Sequence, residues 1–461
     1  MQTTYNVKFW KIAVYKGKRG TTYTVRWTVD GQERRESLAT RAFADAFRSD
    51  LMSAARRGEP FSLETGRPIS FQSRAGTVSW YDFAVQFADH QWHRTAGNSR
   101  KNTAKTLTAA TFSLLRAAPS RFEPVEMRTA LREFAFNTRR REEAPPELAV
   151  ILKWVERNSL PMSAWEDPDK VEEVLRVLAS KLDGTPAAAS SVKRHRRILN
   201  VAMGHAVARS VLQSNPLPKG RGSSPKTSMT VDKRCLIDDA RSAQLLEWIR
   251  QRPRGGKKLH AFFATMYYCG PRPEEAVALR VQDVRLPDED ADDQWCELLF
   301  HTAQPEVGRH WTDTGEIHEE RGLKGRAADD TRVTPGHPSL TKILREHVKR
   351  EGLKPGDLLF QGEKGGMLAG SVIRRAWRTA RREVLPPHEF ESPLGRRVYD
   401  TRNTRLTKWL NMGVPPAQVA EWAGTSVPVL LATYARCIVG HMAVLKRHIE
   451  AVEGTPEPPE S

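Results

Sequence analysis

The sequence predicts a mainly α-helical fold with small β-sheets, an α+β architecture, for a chain of 461 residues. Strict alternation of apolar and polar residues, which indicates a half-buried strand, is confined to short stretches such as 22–29. Longer stretches carry apolar residues at helical spacing, with proline and glycine between them. Because 39% of the residues are hydrophobic, a chain of this length can form about two to four domain cores.

Residues 1–75 are predicted to form a small basic sheet packed on one helix. Alternate residues of 22–29 face the helix, and Asp30 and Gly31 form a typical hairpin turn. The unit has 14 Lys and Arg against 7 Asp and Glu, so its net charge is 14 − 7 = +7. A basic sheet surface can contact nucleic acid. The candidate DNA-binding residues of this unit are Lys18, Arg19 and Arg26.

Residues 76–212 follow a helical pattern and are predicted to form a second domain. Ser191 can cap its last helix, which carries a basic cluster near its N-terminus. Arg194 and Arg197 of this cluster are further candidate DNA-binding residues. Residues 213–235 are rich in Pro, Gly, Ser and Lys, a composition that cannot hold a core and predicts a basic interdomain linker.

The formal net charge of +18 indicates a polyanionic partner, since Lys and Arg bind phosphate backbones regardless of sequence. An anionic membrane surface is the competing interpretation. Against it, the longest apolar run, 261–269, is far shorter than the roughly 20 residues of a spanning helix. The N-terminus lacks the apolar segment of a signal peptide, so we expect a cytoplasmic protein.

We expect neither a metal ion nor a cofactor. The four cysteines lie far apart, without a CxxC pair, and the thirteen histidines form no ligand motif. The sequence has neither a phosphate-binding P-loop nor a dinucleotide-binding glycine motif after a strand. The sequence therefore shows no motif that would bind ATP or a dinucleotide.

Residues 236–450 are predicted to form a mixed α/β domain, followed by a polar, disordered tail at 451–461. Gly270 ends one helix and Pro273 opens the next, so Arg272 projects from the turn between them. An arginine in such a turn is a weak signal when it stands alone.

Three further residues strengthen the interpretation that Arg272 is a functional residue. Two predicted strands, 295–302 and 331–335, place Lys324 near the turn of a hairpin-like unit. Arg402 is a second arginine at a predicted turn-to-helix boundary. Tyr434 lies in a short predicted helix after Gly424, where we expect it to be exposed. Taken alone, it would instead be a packed tyrosine, because Leu430 and Leu431 share its helix face.

Five short motifs occur in a fixed order in this third domain. They are GPRPEEAVAL at 270–279, LKGRA with TRVTP between 323 and 335, YDTR at 399–402, EWAGTS at 421–426 and ATYARCI at 432–438. On these motifs the chain resembles the tyrosine recombinase (phage integrase) family, especially integrases of actinobacterial mobile elements. The resemblance implies a tyrosine recombinase catalytic domain at 236–450, an arm-type DNA-binding domain at 1–75 and a helical, SAM-like core-binding domain at 76–212.

The resemblance also implies roles for four matched residues. Arg272 and Arg402 would stabilise the negative oxygens of an attacked phosphate, because guanidinium forks match that geometry. Tyr434 would form a 3′-phosphotyrosine with DNA, and Lys324 would give a proton to the departing 5′-oxygen. Since the covalent link conserves the bond energy, neither ATP nor a metal ion is needed.

The chain departs from the family pattern at three positions. Tyr399 replaces the histidine of the H-x-x-R box, Thr425 replaces that of the L-G-H box, and Asn403 follows Arg402 where histidine is usual. Threonine and tyrosine can bind a phosphate oxygen, but threonine cannot carry a charge or shuttle a proton near neutral pH. A general acid–base group contributes a factor of about 10²–10⁴, so a slow enzyme is expected.

The function implied by the resemblance is that of a site-specific recombinase that integrates or excises a mobile element. Its partners would be double-stranded DNA attachment sites, three further copies of the chain in a synaptic homotetramer, and an excision-promoting or DNA-bending accessory protein. It would act in the cytoplasm, on the bacterial nucleoid. Two alternatives stay open: a catalytically degenerate DNA-binding protein that keeps the fold, and an enzyme with type IB topoisomerase chemistry.

Overall fold

The computed structural model describes residues 2–17, 20–38, 40–219, 230–288, 294–325, 330–434 and 446. The chain divides into two compact units, Met1–Thr227 and Ser228–Ser461. The boundary falls in the segment predicted as a linker. Part of that segment, the predicted tail at 451–461, and Lys18 and Arg19 lie outside the described residues.

The first unit begins with a small antiparallel sheet. The unit has the strands β1 (Thr3–Thr4), β2 (Val7–Phe9), β3 (Ala13–Gly17), β4 (Gly20–Val29), β5 (Gln32–Leu38) and β6 (Phe61–Ser62). The sheet consists of β2 to β5, and β1 pairs with β6 in a separate two-stranded ladder. The long strand β4 pairs with β2 and β3 along one edge and with β5 along the other. Asp30 and Gly31 both have positive φ, as the two-residue turn between β4 and β5 requires.

One helix covers the inner face of this sheet. Alternate residues of β4 (Val25, Trp27 and Val29) are buried against Phe47 and Leu51 of the helix Arg41–Arg56. The rest of the unit is mainly helical. In chain order the helices are α1 (Arg41–Arg56), α2 (Ile69–Thr77), α3 (Trp80–Trp92), α4 (Gly97–Ser113), α5 (Pro124–Ala130), α6 (Pro146–Asn158), α7 (Pro168–Leu178) and α8 (Ala189–Ala208).

The predicted N-cap of α8, Ser191, is wrong by three residues. The helix begins at Ala189, and its N-cap, Ala188, makes no side-chain capping hydrogen bond. Alanine has the highest helix propensity, so this alanine-rich segment enters the helix before the chain reaches Ser191. The basic cluster of α8 therefore begins on its second helical turn.

The second unit is mainly helical, and its described residues include a three-stranded and a two-stranded antiparallel sheet. Its helices are α9 (Asp239–Gln251), α10 (Gly256–Cys269), α11 (Pro273–Ala276), α12 (Pro338–Glu351), α13 (Gly370–Val384), α14 (Pro387–Glu391), α15 (Tyr399–Asn411), α16 (Pro416–Ala423) and α17 (Val427–Tyr434). Its strands are β7 (Val284–Arg285), β8 (Cys296–Phe300), β9 (Thr302–Ala303), β10 (Arg321–Gly322) and β11 (Arg332–Gly336). The predicted α+β class is confirmed.

The strand order in the main sheet of this unit is β11-β8-β7. The two strands predicted around Lys324 are thus paired, but the 31-residue connection between them, 301–331, has structure of its own. It contains a second small ladder, β9 with β10, and Lys324 follows β10. The backbone N–H of Gln304 donates to the carbonyl of Glu274 at 2.8 Å, which ties this ladder to the start of α11.

Two helix ends shape the site. Gly270 caps α10 with φ +57° and Gly424 caps α16 with φ +62°. Residues other than glycine rarely adopt this backbone conformation. Each glycine also lies against an arginine: a Cβ at Gly270 would press on the stem of Arg405, and one at Gly424 would overlap Nη1 of Arg332. Among the described residues, no helix is long and apolar enough to cross a membrane.

Candidate active site

A cleft of about 970 Å³ in the second unit is lined by every residue predicted to be catalytic. These residues come from five separate segments of the chain. They are Arg272, Lys324, Tyr399, Arg402, Thr425 and Tyr434. The folding of the unit therefore brings together residues that the motifs could only place in order along the sequence.

Arg272 is the N-cap of α11, at the turn that follows Gly270. Its side chain is 12% exposed, and its guanidinium donates to Glu275 Oε1 at 2.6 Å and to the carbonyl of Gly424 at 2.9 Å. The other oxygen of Glu275 accepts the backbone N–H of Arg272 at 2.9 Å. This reciprocal arrangement fixes the direction of the guanidinium toward the cleft.

Glu275 is held between two arginines. Its second partner is Arg332 of β11, whose fully buried guanidinium donates to Glu275 Oε2 at 2.7 Å and packs over the Phe300 ring. Burial alone would raise the pKa of the Glu275 carboxyl, but the charges of Arg332 and Arg272 outweigh it and lower the pKa to about 2. Glu275 is therefore ionised near neutral pH and orients the arginines rather than moving protons.

Arg402, on α15, is only 2% exposed. Its two terminal nitrogens donate to backbone carbonyls at helix ends, Gly270 at 2.7 Å and Ala423 at 2.6 Å. The last carbonyls of a helix lack partners within the helix and carry partial negative charge, so they suit a guanidinium. The Nε of Arg402 is buried and has no hydrogen-bond partner within the described part of the chain.

Tyr434 is buried, so the expectation of an exposed tyrosine is wrong. The residue is 4% exposed because its ring packs, one turn after Leu430, in an apolar cluster with Leu406 and Ala420. Its hydroxyl nevertheless lies at the wall of the cleft and donates to Oδ1 of Asn403 at 3.0 Å. The packed ring and the hydrogen bond restrict where this oxygen can be.

The other three predicted residues are more accessible. Tyr399 is 39% exposed at the first position of α15, and its ring centre lies 6.0 Å from the guanidinium carbon of Arg402. Thr425 is partly exposed directly after Gly424, and Lys324 is exposed on the loop that follows β10. An exposed lysine on a loop can approach a bound ligand from the open side of the cleft.

The cleft contains a second potential nucleophile, the thiol of Cys235. Burial raises the pKa of this thiol to about 12, and the Asp400 carboxylate adds to the rise. The thiol is therefore protonated near neutral pH and lacks the nucleophilic thiolate form. Among the described residues, no group of three or more His, Cys, Asp or Glu side chains could hold a metal ion.

The predicted DNA-binding residues of the first unit that fall within the described ranges are exposed. Arg26 lies on the outer face of β4, with a loose ion pair to Glu33 at 3.6 Å and its guanidinium 5.6 Å from the Trp10 ring centre. Arg194 and Arg197 are exposed on α8. Lys18 and Arg19 lie outside the described residues.

Sequence reasoning missed two residues of the site. Arg332 stands in the TRVTP motif, where the alternation of a strand puts it on the same face as the buried Thr334, and that was the available signal. Asn403 was noted only as a departure from a family pattern. Its hydrogen bond to Tyr434 joins residues 31 positions apart and has no sequence signal.

No family model and no curated protein matches the sequence. Solved structures with a similar fold include the Tn1549 transposon integrase in complex with transposon right end DNA, at 15% identity and a TM-score of 0.46, covering 70% of this chain and 98% of that one. They also include the XerH site-specific recombinase bound to its difH substrate, at 15% identity and a TM-score of 0.43, covering 78% and 96%. A third structure with a similar fold is a lambda integrase dimer bound to a core site, at 11% identity and a TM-score of 0.42, covering 97% of each chain.

The structural neighbours of the chain are thus integrases and site-specific recombinases, the proteins that its sequence motifs resemble. Because the identities do not exceed 15% and the TM-scores stay below 0.5, these alignments carry no argument about the activity of this chain. We take the activity from the cleft itself.

Proposed function

We propose that the chain is a site-specific DNA recombinase that cuts and rejoins DNA through a 3′-phosphotyrosine on Tyr434. One observation carries the proposal: two arginines, a lysine and a tyrosine from distant parts of the sequence line a single cleft. Roles are recognised from such a constellation rather than from any one residue. The four residues are Arg272, Lys324, Arg402 and Tyr434.

The two arginines supply the electrostatic stabilisation. A phosphodiester under attack carries negative charge on two equatorial oxygens, which preorganised guanidinium groups stabilise. Each guanidinium has five N–H donors, so Arg402 keeps donors for a phosphate after its bonds to two carbonyls. Because the protein already fixes both groups, little reorganisation is needed when a phosphate binds.

The covalent step exchanges one phosphoester for another. The Tyr434 oxygen attacks phosphorus, the bond between phosphorus and the 5′-oxygen breaks, and the leaving oxygen takes a proton from Lys324. The phenol proton leaves to solvent, because no histidine stands at the matched positions. The free 5′-hydroxyl of a second strand then attacks the phosphotyrosine, which restores the phosphodiester and the tyrosine. No ATP is needed, since the bond energy is retained.

Tyr399 and Thr425 are assigned to phosphate contact. Both line the cleft, and each offers a hydroxyl that can donate to a phosphate oxygen. Thr425 cannot shuttle a proton near neutral pH as histidine does. We therefore propose that they contribute binding and orientation, and that the rate of cleavage is lower than it would be with histidine at these positions.

The first unit is assigned to DNA binding. Its exposed Arg26, Arg194 and Arg197 can contact phosphates of double-stranded attachment sites, with the segment 213–235 following the backbone between the units. A synaptic homotetramer in the cytoplasm, with an accessory protein that bends DNA or promotes excision, belongs to the same proposal. So does the subdivision of the first unit into an arm-binding part at 1–75 and a core-binding part at 76–212.

The decisive test is the covalent adduct. Duplexes that the full-length chain selects from a random pool would be nicked near each possible cleavage position and incubated with the chain. We expect a protein–DNA adduct with the unaltered chain and none with Tyr434→Phe, which keeps the ring and its packing. An unaltered chain that binds the duplexes but forms no adduct is the degenerate DNA-binding protein. Relaxation of a supercoiled plasmid without exchange between two sites would instead favour topoisomerase chemistry.

A further inference from the structure

Asn403 occupies an unusual position for an amide. It follows Arg402 on α15, is 4% exposed and lines the cleft. Its side chain contacts three groups: the Tyr434 hydroxyl at 3.0 Å, Asp400 Oδ1 at 3.1 Å and the thiol of Cys235. A buried polar side chain with all of these partners is held in one orientation.

The direction of the amide is set by Asp400. An ionised carboxylate only accepts hydrogen bonds, so the NH₂ group of Asn403 must face Asp400 and its carbonyl oxygen must face Tyr434. Asp400 is itself 1% exposed and is bound by both the backbone N–H and the guanidinium of Arg397, at 2.8 and 2.9 Å. The amide therefore cannot turn over without breaking a buried network.

This orientation has a chemical consequence for Tyr434. The hydroxyl must act as the donor, because the oxygen of Asn403 offers only an acceptor. An amide oxygen can orient the O–H group, but it cannot take the proton from it at ordinary pH. The arrangement of Tyr434, Asn403 and Asp400 thus has the geometry of a nucleophile, its partner and an orienting carboxylate, with an amide in the place of a base.

We propose that Asn403 is a positioning residue for the Tyr434 hydroxyl, fixed in direction by Asp400. This inference rests on the proposed function, because it assigns to Asn403 the orientation of the attacking oxygen. A misplacement of a reacting group by about 1 Å can cost on the order of 100-fold in rate. Asn403 acts through Tyr434 and has no contact of its own with phosphate in this assignment.

Two variants separate the hydrogen bond from packing. Asn403→Leu keeps nearly the same volume without an acceptor, whereas Asn403→Ala also leaves a cavity. We expect both to lower the single-turnover rate of adduct formation on the nicked duplexes by about 10- to 100-fold, with the Kd for DNA unchanged within about 2-fold. The matched control is Gln418→Ala on α16, which removes an amide bonded to Glu421 and should leave the rate unchanged.

The position of Tyr434 can be read without any DNA. The full-length chain would be labelled with 3-fluorotyrosine, and the ¹⁹F resonance of Tyr434 identified by its loss in Tyr434→Phe. We expect this resonance to move or broaden in Asn403→Leu and Asn403→Ala, and to stay in place in Gln418→Ala. Thermal unfolding of each variant checks that the second unit is folded.

The outcomes distinguish this inference from the proposed function. A resonance and an adduct rate that are both unchanged in folded Asn403→Leu would overturn the positioning role. The positioning role would also be overturned if Asn403→Leu formed the adduct as fast as the unaltered chain while Asn403→Ala formed it slowly. Packing alone would then explain the loss of rate. An unaltered chain without any adduct refutes the proposed function, whatever the resonance shows.

Discussion

The arginines assigned to DNA contact in the first unit and those held at the cleft of the second unit differ in burial. Arg26, Arg194 and Arg197 face solvent, and Arg26 has a long ion pair to Glu33 at 3.6 Å. In Ser228–Ser461, Arg332 and Arg402 are 2% exposed and each makes two bonds to fixed acceptors. Burying a charge is unfavourable unless it is paired and hydrogen-bonded, so these two arginines are stable only in the fixed geometry that their acceptors give them.

This difference separates two tasks. Exposed arginines can bind any phosphate along a duplex and gain affinity by releasing counterions. Buried arginines held by a carboxylate and by helix-end carbonyls can act on one phosphate in one place. Substitutions should therefore affect salt-dependent affinity in the first unit, and stability and cleavage in the second.

The largest effect is expected from Glu275→Gln. Removing this carboxylate leaves Arg272 and Arg332 without their shared counter-ion, and breaking a buried ion pair typically costs about 3–5 kcal/mol. Urea unfolding of the full chain, followed through the transition of the second unit, measures it. Glu274→Gln, at the neighbouring and partly exposed carboxylate, is the control and should stay within about 0.5 kcal/mol. Equal stability of the two variants would contradict the role given to Glu275.

The next effect is expected from Arg402→Lys. Lysine keeps the positive charge. Its single ammonium group, however, cannot bind the carbonyls of both Gly270 and Ala423 and also donate hydrogen bonds to a phosphate. We expect adduct formation to fall by about 10²–10³-fold with the Kd for DNA nearly unchanged. Arg197→Lys, at an exposed arginine, should leave the cleavage rate as it was. A comparable loss of cleavage in both variants would contradict the different roles proposed for the arginines of the two units.

Two buried groups, His205 of the first unit and Glu275 of the second, should lose their stabilising effect at different pH. Burial also lowers the pKa of His260 and His347 in the second unit, so the comparison concerns these two groups and not the whole units. Burial lowers the pKa of His205 in the first unit to about 4, with the charges of His90 and Arg209 adding to the shift. Since the usual pKa is 6.5, the unfolded chain binds this proton first, so stability is full above pH 6.5 and declines as the pH falls toward 4. The Glu275 carboxyl, with its pKa lowered from 4.5 to about 2, stabilises above pH 4.5 and loses this effect only as the pH falls toward 2.

Hydrogen exchange as a function of pH measures the effect of His205. We expect amide protection in α3 and α8, which carry His90 and His205, to weaken between pH 6.5 and 4. His205→Leu should remove this part of the loss in the first unit. An equal loss of protection over this pH range in His205→Leu would contradict the assignment.

The smallest effect is expected from Arg197→Ala. Loss of one exposed phosphate contact should weaken binding to all duplexes alike and lower the slope of log Kd against log salt by about 1. Fluorescence anisotropy over a salt series measures this slope. A loss that is confined to selected duplexes and independent of salt would instead assign Arg197 to base contact.

Much of the cleft could be predicted because its arginines stand next to backbone signals. Gly270 must end α10 with positive φ, and Pro273 opens α11, so the position of Arg272 in the turn follows from local rules. The same holds for the hairpin at Asp30 and Gly31. Turns and helix ends can be predicted from a sequence because they depend on only a few neighbouring residues.

The rest depends on contacts between distant residues. Arg332 is buried only because Glu275, 57 positions away, accepts its hydrogen bonds, and an isolated arginine in a short strand usually faces solvent. Tyr434 is buried because α17 packs on residues of α15 and α16. The helix face that it shares with Leu430 indicates a packed tyrosine, but it does not specify which distant residues cover the ring. The failed prediction at Ser191 is different, since alanine propensity extended α8 past a good capping residue.

The central claim is that Tyr434 forms the covalent bond to DNA. The most direct measurement is mass spectrometry of the adduct after nuclease and protease digestion. The account predicts a nucleotide attached through its 3′-phosphate to the peptide that contains Tyr434, and no such peptide from Tyr434→Phe. A nucleotide on any other residue, or attachment through a 5′-phosphate, would contradict it.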